Sequence, residues 1–319
     1  MTPATQTAGT AHGPAKVAVL LAAYNGREWI EEQLASILGQ AQVDVDVYIS
    51  VDPSTDGTEA CCAEYALAHP HVTLLPACGP FKGASRNFFR LIRDVDLSGH
   101  DYVAFSDQDD VWHADKLQRA VSTLLAKAAD GYSSNVMAFW RDGRRLLVNK
   151  AQPQVRWDHL FEAAGPGCTY VLSRKLAEDF KAMLLDNWQH AQRIDLHDWF
   201  CYAFARSRGY RWYIDPTPGL EYRQHERNQV GVNNGLSSAL VRWRKINDGW
   251  WFAQVELTAR LLQIHSPFVT LEGDSARISS LARLACNVTS CRRRTRDRVM
   301  LFVVCALKGV TRAFRRPRP

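Results

Sequence analysis

Three carboxylates crowd into four residues at Asp107-Gln-Asp-Asp110. Carboxylates this close repel one another unless a cation sits among them. Mg2+ or Mn2+ is the natural candidate, because these hard cations take one or two protein carboxylates together with substrate phosphates. The same residue type also caps helix N-termini and favours their dipole. Alone, the motif therefore leaves two readings open, a metal site and a helix start. Its setting bears on the choice. Tyr102-Val-Ala-Phe105 is a short apolar run with aromatics and a β-branched residue, which reads as a buried strand. Acids that follow a strand directly stand at the carboxyl edge of a sheet, where open α/β sheets bind ligands.

The elements that must hold those acids alternate along the chain. Val17–Ala23 is a continuous apolar run, as expected of a central parallel strand. Tyr24-Asn-Gly26 breaks it, and apolar residues at helical spacing follow from Glu28 to Leu38. A second strand, Val45–Val51, runs into the turn-rich Asp52-Pro-Ser-Thr-Asp-Gly-Thr58, a helix over Glu59–Ala68 and a short strand at Val72–Leu75. Ser85 is expected to cap a helix through Ile92, and another helix spans Asp115–Lys127. This alternation predicts a mostly parallel sheet, and no Gly-x-Gly-x-x-Gly follows the first strand, so a dinucleotide-binding Rossmann unit is excluded. Beyond it the pattern is less regular. A hairpin is expected across Arg141-Asp-Gly143, a glycine-rich turn at Ala164–Thr169, a helix over Asp195–Arg208, a strand at Tyr210–Ile214, and a polar loop from Glu221 to Gly235. From about Ser237 the pattern is helical.

The chain has 319 residues and a net charge of +6. From Arg292 onward, nine arginines and one lysine stand against one aspartate, so the remainder carries −3. The body therefore has no nucleic-acid signature, and no nucleic-acid partner is expected. Eight cysteines without metal-type spacing read as free thiols in a reducing, cytoplasmic compartment. Residues 1–16 are expected to be a disordered tail without a secretory signal.

Four motifs then occur in a telling order: Leu21-Ala-Ala-Tyr-Asn-Gly26, Ser50–Thr58, Ser106–Trp112 and His197-Asp-Trp199. Together they resemble family 2 glycosyltransferases with the GT-A fold, in particular the bacterial rhamnosyltransferase-like branch, over residues 17–235. The resemblance implies a GT-A-type nucleotide-diphospho-sugar transferase fold with a mostly parallel central sheet, plus a helical C-terminal extension over residues 236–319. It implies inverting transfer of a sugar, rhamnose in this branch, from a dTDP- or UDP-linked donor to a bacterial cell-surface glycan or a lipid-linked acceptor. The loop Ala23-Tyr24-Asn25 would then contact base and ribose, and Asp52 could accept a hydrogen from a pyrimidine N–H or a ribose hydroxyl. The family usually carries two acidic or amide residues where this chain has Val51-Asp52, which leaves the base less specified. Arg86, with Lys82 and Asn87, would lie near the nucleotide. Asp107 and Asp109 would serve the metal and the ribose, with His225 as a further ligand. Asp198 would be the general base, since direct displacement requires the acceptor hydroxyl to lose its proton.

Each of these residues also has a plainer reading. Asp198 fits the first turn of a helix, Trp112 and Lys116 fit a packing tryptophan and a surface lysine, and Asp110 fits a cap or a loop brace. His197, Trp199 and Trp188 could face the acceptor or pack in the core. Gly167 could let the backbone approach a substrate or serve a tight turn. Arg223 could meet phosphate from a loop that also holds His225, Asn228 and Gly231. The C-terminal aromatic and basic segment, with Trp243, Trp250 and Arg292–Arg296, suits either an interfacial helix on an anionic membrane surface or a core helix with a solvated basic face. Two other readings remain, a nucleotidyltransferase acting on sugar phosphates and a non-catalytic glycan-binding protein. Oligomeric state is not legible.

Overall fold

A computed structural model describes residues 13–225, 248–269 and 278–314. The sequence-stretch Glu226–Gly235, Trp243 and the last arginines lie outside these residues. The central sheet has seven strands in the order β10-β6-β9-β4-β1-β2-β3. Its strands are β1 (Ala15–Ala23), β2 (Val43–Val51), β3 (Val72–Leu74), β4 (Tyr102–Ser106), β6 (Gly131–Ser134), β9 (Val171–Ser173) and β10 (Trp212–Asp215). All neighbours are parallel except β9, which runs against β4 and β6. A second sheet of four strands is ordered β5-β11-β7-β8, with β5 at Val111–Trp112, β7 at Val136–Phe139, β8 at Arg145–Val148 and β11 at Leu220–Arg223.

Strand β1 explains the layering. Val17 to Leu21 are fully buried, as a strand covered on both faces requires. Because side chains alternate, Ala18 and Leu20 face one core while Val17, Val19 and Leu21 face the other. On the second side lie α1 (Ile30–Leu38), α2 (Thr58–Ala68) and α4 (Lys116–Lys127). On the first lie α3 (Ala84–Asp94), α6 (Arg174–Asp186) and α8 (His197–Ser207), which meet through Phe88, Phe89, Phe180 and Phe200. Short helices α5 (Asp158–Phe161) and α7 (Trp188–Ala191) fill the connections. The C-terminal region adds α9 (Trp250–Leu262), α10 (Ile278–Cys286), α11 (Val288–Cys291) and α12 (Thr295–Phe314). Among the described residues, no helix is long and apolar enough to cross a membrane.

The register of the parallel strands places the site. Ala23 pairs with Val51, and Leu21 pairs with Ser106. The chain therefore leaves β1, β2 and β4 at one edge, and Tyr24, Asp52 and Asp107 all emerge there.

Several local expectations need correction. Ser85 does not cap α3. Gly83 occupies that position without a side-chain cap, and the Ser85 hydroxyl is buried without a partner. Helix α6 was not anticipated, although Leu176, Ala177, Phe180, Met183 and Leu184 form one buried face and Ser173 Oγ accepts from Leu176 N–H at 3.3 Å. Glu221–Arg223, expected in a loop, is strand β11.

The arginine cluster before α12 is not uniformly solvated. The Arg293 side chain is fully buried. It donates to Asp158 Oδ2 at 3.2 Å and to the Ala163 carbonyl at 2.6 Å, and it sits 3.7 Å from Glu162. Asp158 also accepts from Tyr202 Oη and Arg206. Arg292 donates to the Phe161 carbonyl at 2.6 Å. Removing one partner of such a pair strands a buried charge. We predict that Arg293→Met lowers the unfolding free energy by about 3–5 kcal/mol. Equilibrium denaturation would measure this, and an unchanged midpoint would show the pair to be dispensable.

Candidate active site

The acids after β4 form the centre of the edge. Asp107 is pushed up to about 7, first by burial and then by Asp109 and Asp198. Asp110 is pushed well above the usual carboxylate range by burial, Asp109 and Asp107. One donor atom from each of Asp107, Asp110 and Cys168 lies within 4.8 Å of the others. Asp110 Oδ1 accepts from Arg223 N–H at 3.3 Å, while its buried Oδ2 has no partner. Asp109 Oδ2 meets His225 Nε2 at 2.7 Å, and the His225 ring stacks on Trp29 at 4.1 Å. The structure thus pairs Asp109 with His225 and places Asp110 and Cys168 beside Asp107. Burial and both carboxylates hold the Cys168 thiol well above its ordinary range, so it lies beside the acids as a neutral thiol. Crowded carboxylates with an orphaned oxygen fit a hard divalent cation such as Mg2+ or Mn2+.

Gln108 ties these acids to the first loop. Its amide accepts from Tyr24 N–H at 2.7 Å and donates to the Tyr24 carbonyl at 2.8 Å. Sequence reasoning missed this role. Gly26 makes room for it, since a Cβ there would fall 2.1 Å from Gln108 Oε1. Tyr24 itself is exposed. Asn25 sits at φ 47° and its Oδ1 accepts from Thr55 N–H at 2.8 Å, joining the first loop to the second. The backbone N–H of Ala23 is part of β1, and its carbonyl accepts from Asp52 N–H at 2.8 Å.

The residues given to the nucleotide are more structural than expected. Asp52 is buried, and its oxygens accept from Phe81 N–H at 2.7 Å and Lys82 N–H at 3.1 Å. Each oxygen keeps a second lone pair for a ligand. Arg86 donates to the Gln192 carbonyl at 2.8 Å and to the Phe81 carbonyl at 3.1 Å, and it braces the loop before α3. Asn87 is buried and donates to the Ser50 carbonyl at 2.9 Å. Arg223 spans Glu32, the Asp109 carbonyl and the Phe139 ring, so it clamps the acid loop to β11. Asn228 and Gly231 lie outside the described residues. Lys116 is no surface lysine. It is 1% exposed, its Nζ lies 3.1 Å from the centre of the Trp112 ring without a hydrogen-bond partner, and burial pushes it down to about 7.

Asp198 faces the acids from α8. It stands in the first helical turn, where the plainer reading put it, and accepts from Trp199 N–H at 2.7 Å. Burial nonetheless raises it to about 6, while the backbone N–H of Trp199, the Lys150 ammonium and the backbone N–H of Gly167 favour its charged form. Lys150 was missed because nothing in its local sequence marks it. The Asn135 Oδ1 that takes its N–H at 2.6 Å fixes its place. A Cβ on Gly167 would fall 2.6 Å from His197 Nε2 and 3.2 Å from Asp198 Cβ, so this glycine lets the turn lie against α8. The flanking residues turn inward, which corrects their placement toward an acceptor. His197 stacks on Phe88 at 3.9 Å and is driven down to about 3 by burial. Trp199 is 5% exposed, donates to the His159 carbonyl at 3.0 Å and lies against Trp251. Trp188 carries the Arg93 guanidinium over its ring at 4.4 Å.

A mostly parallel sheet with acids at its carboxyl edge and a carboxylate opposite is the architecture of GT-A glycosyltransferases. Among solved structures, S. aureus TarS 1–349 in complex with UDP aligns with a TM-score of 0.51 at 15% identity, covering 93% of this chain and 88% of that one. Residues 14–217 match the family model described as "Glycosyltransferase like family 2". The dTDP-rhamnosyl transferase RfbG of Shigella flexneri is 44% identical over 288 residues, which is 90% of this chain and 99% of that protein. The Escherichia coli UDP-Glc:alpha-D-GlcNAc-diphosphoundecaprenol beta-1,3-glucosyltransferase WfgD is 24% identical over 172 residues, 51% of this chain and 62% of that protein. The chain belongs to glycosyltransferase family 2, in its rhamnosyltransferase-like branch. It is a glycosyltransferase, and the nucleotidyltransferase and scaffold readings fall away.

The seat of Gln108 is testable without a substrate. Gly26→Ala is expected to lower stability by about 1–3 kcal/mol, because the added carbon occupies the space of the Gln108 amide. In a Gln108→Ala background the cost should shrink, as for coupled neighbours. Denaturation of the four proteins checks this, and additive losses would separate the two residues.

Proposed function

We propose that this enzyme is an inverting glycosyltransferase that moves rhamnose from a dTDP-linked donor to a hydroxyl of a bacterial cell-surface glycan or lipid-linked acceptor. The observation that carries the mechanism is Asp198, a half-buried carboxylate raised to about 6 that interacts with Asp107 across the site. The similarity to RfbG supports the donor. Asp107, Asp109, Asp110 and His225 would hold Mg2+ or Mn2+. When bound, the cation would neutralise charge on the departing diphosphate. Asp52 and the Ala23–Asn25 loop receive the nucleoside. Asp198 accepts the proton of the acceptor hydroxyl as it attacks the anomeric carbon from the face opposite the diphosphate, which inverts that carbon. Lys150 keeps Asp198 ionised for the task. We assign residues 15–235 to the catalytic unit, two residues more than the sequence suggests because Ala15 and Lys16 already pair with β2, 1–14 to a tail and 236–319 to a helical basic extension. We place the enzyme in the cytoplasm, which its free thiols support.

Asp198→Asn is expected to reduce sugar transfer by about 10²–10⁴-fold with folding intact. Near-normal transfer would remove Asp198 as base. The configuration of the product by NMR tests inversion, and a retained anomer would refute it. Donor titration with dTDP- and UDP-sugars, with and without Mn2+, reads the base preference and the metal need. Asp109→Ala should weaken the Mn2+ dependence.

The pH profile has a defined sign. The base works when ionised, so the rate should rise with pH through about 6 and level off above it. Lys150→Met removes a nearby positive charge, so Asp198 should hold its proton more tightly and the rising limb should move to higher pH. A limb that stays in place would show that Lys150 does not act on Asp198.

A further inference from the structure

Helix α12 has two unlike faces. Leu301, Val304 and Cys305 are buried against the rest of the C-terminal helices. On the opposite side Val299, Phe302, Val303, Leu307 and Val310 are each between 42% and 59% exposed, with Ala306 also exposed among them. Their spacing follows the helical repeat, so they form one stripe, about 16 Å long at the usual rise. Large apolar side chains that line up in this way, rather than standing singly, mark an interaction surface. The helix is not apolar enough to cross a bilayer.

The charge around the stripe indicates its partner. Arg296 is exposed at its start, and the last eight residues of the chain contain four arginines. Arg293 and Arg292 do not contribute, because the first is buried in ion pairs with Asp158 and Glu162 and the second is held by the Phe161 carbonyl. Residues before Arg292 carry −3 overall, so positive charge concentrates in the sequence that flanks the apolar stripe. A second copy of the chain is a poor occupant. Placed stripe to stripe in either direction, two copies would bring basic segments together. An anionic lipid surface matches both features, since the apolar face enters the acyl boundary while arginines meet phosphate groups.

We propose that α12 lies flat in the headgroup layer of an anionic phospholipid bilayer, with Val299, Phe302, Val303, Leu307 and Val310 inserted. This anchors the catalytic sheet at the membrane surface without a spanning segment. The proposal does not depend on which sugar is transferred.

The test is co-sedimentation of the full chain with vesicles. Phosphatidylcholine vesicles containing about a third phosphatidylglycerol should carry the protein down, and pure phosphatidylcholine or about 0.5 M salt should release it by tenfold or more. Phe302→Asp with Leu307→Asp replaces two exposed side chains. It should abolish binding while leaving thermal unfolding, nucleotide-sugar binding and monomer mass unchanged. The proposal is overturned if the native chain stays in the supernatant with anionic vesicles, or if the double variant binds like the native chain. Equal binding to pure phosphatidylcholine overturns the anionic partner. A dimer in light scattering that this variant dissociates assigns the stripe to a second copy instead.

Discussion

Repulsion among carboxylates at one edge of the sheet is the constraint on which the rest of this structure turns. Asp107, Asp109 and Asp110 follow a single strand, and Asp198 faces Asp107 from another element. Burial and neighbouring carboxylates raise Asp107 and Asp110, and burial raises Asp198. Such a cluster has a use where charge changes during reaction. In the proposed mechanism a cation among the first three and a proton on the fourth would be two different ways to relieve it, at two different ends of a glycosyl transfer.

Much of the remaining polar apparatus keeps the edge in shape. Gln108, Asn25, Asp52, Arg86 and Asn87 bond mainly to backbone groups of neighbouring loops. Loops at a sheet edge have no ladder partners, so side chains must satisfy them. Residues of the signature motifs therefore serve as scaffold for this edge of the sheet even where they would touch no ligand. The Arg223 clamp and the buried Lys116 extend the same scaffold beneath the acids.

The C-terminal helices join this framework through a buried ionic knot. Arg293 reaches Asp158 and Glu162 beside α5, and Tyr202 and Arg206 of α8 complete the network around Asp158. Helix α8 also carries Asp198. The same helix is thus fixed from one side by the extension and from the other by the turn at Gly167. Beyond the knot, α12 keeps one face on the core and turns the other outward.

Strand–helix alternation, the emergence of Asp52 and Asp107 at strand ends, and the membership signalled by four motifs in order were legible in the residues alone. These rest on local patterns: apolar runs, turn residues and helical spacing, which neighbouring residues carry on their own. The sequence did not reveal helix α6, although its buried face is periodic, nor strand β11, whose polar residues look like a loop until β5 and β7 pair with it. Packing alone brings Asp110 and Cys168 to Asp107 and turns His197 and Trp199 toward the core. These partners are far apart in the chain. The role of a polar side chain depends on which element folds against it, and only the packed sheet and helices specify that.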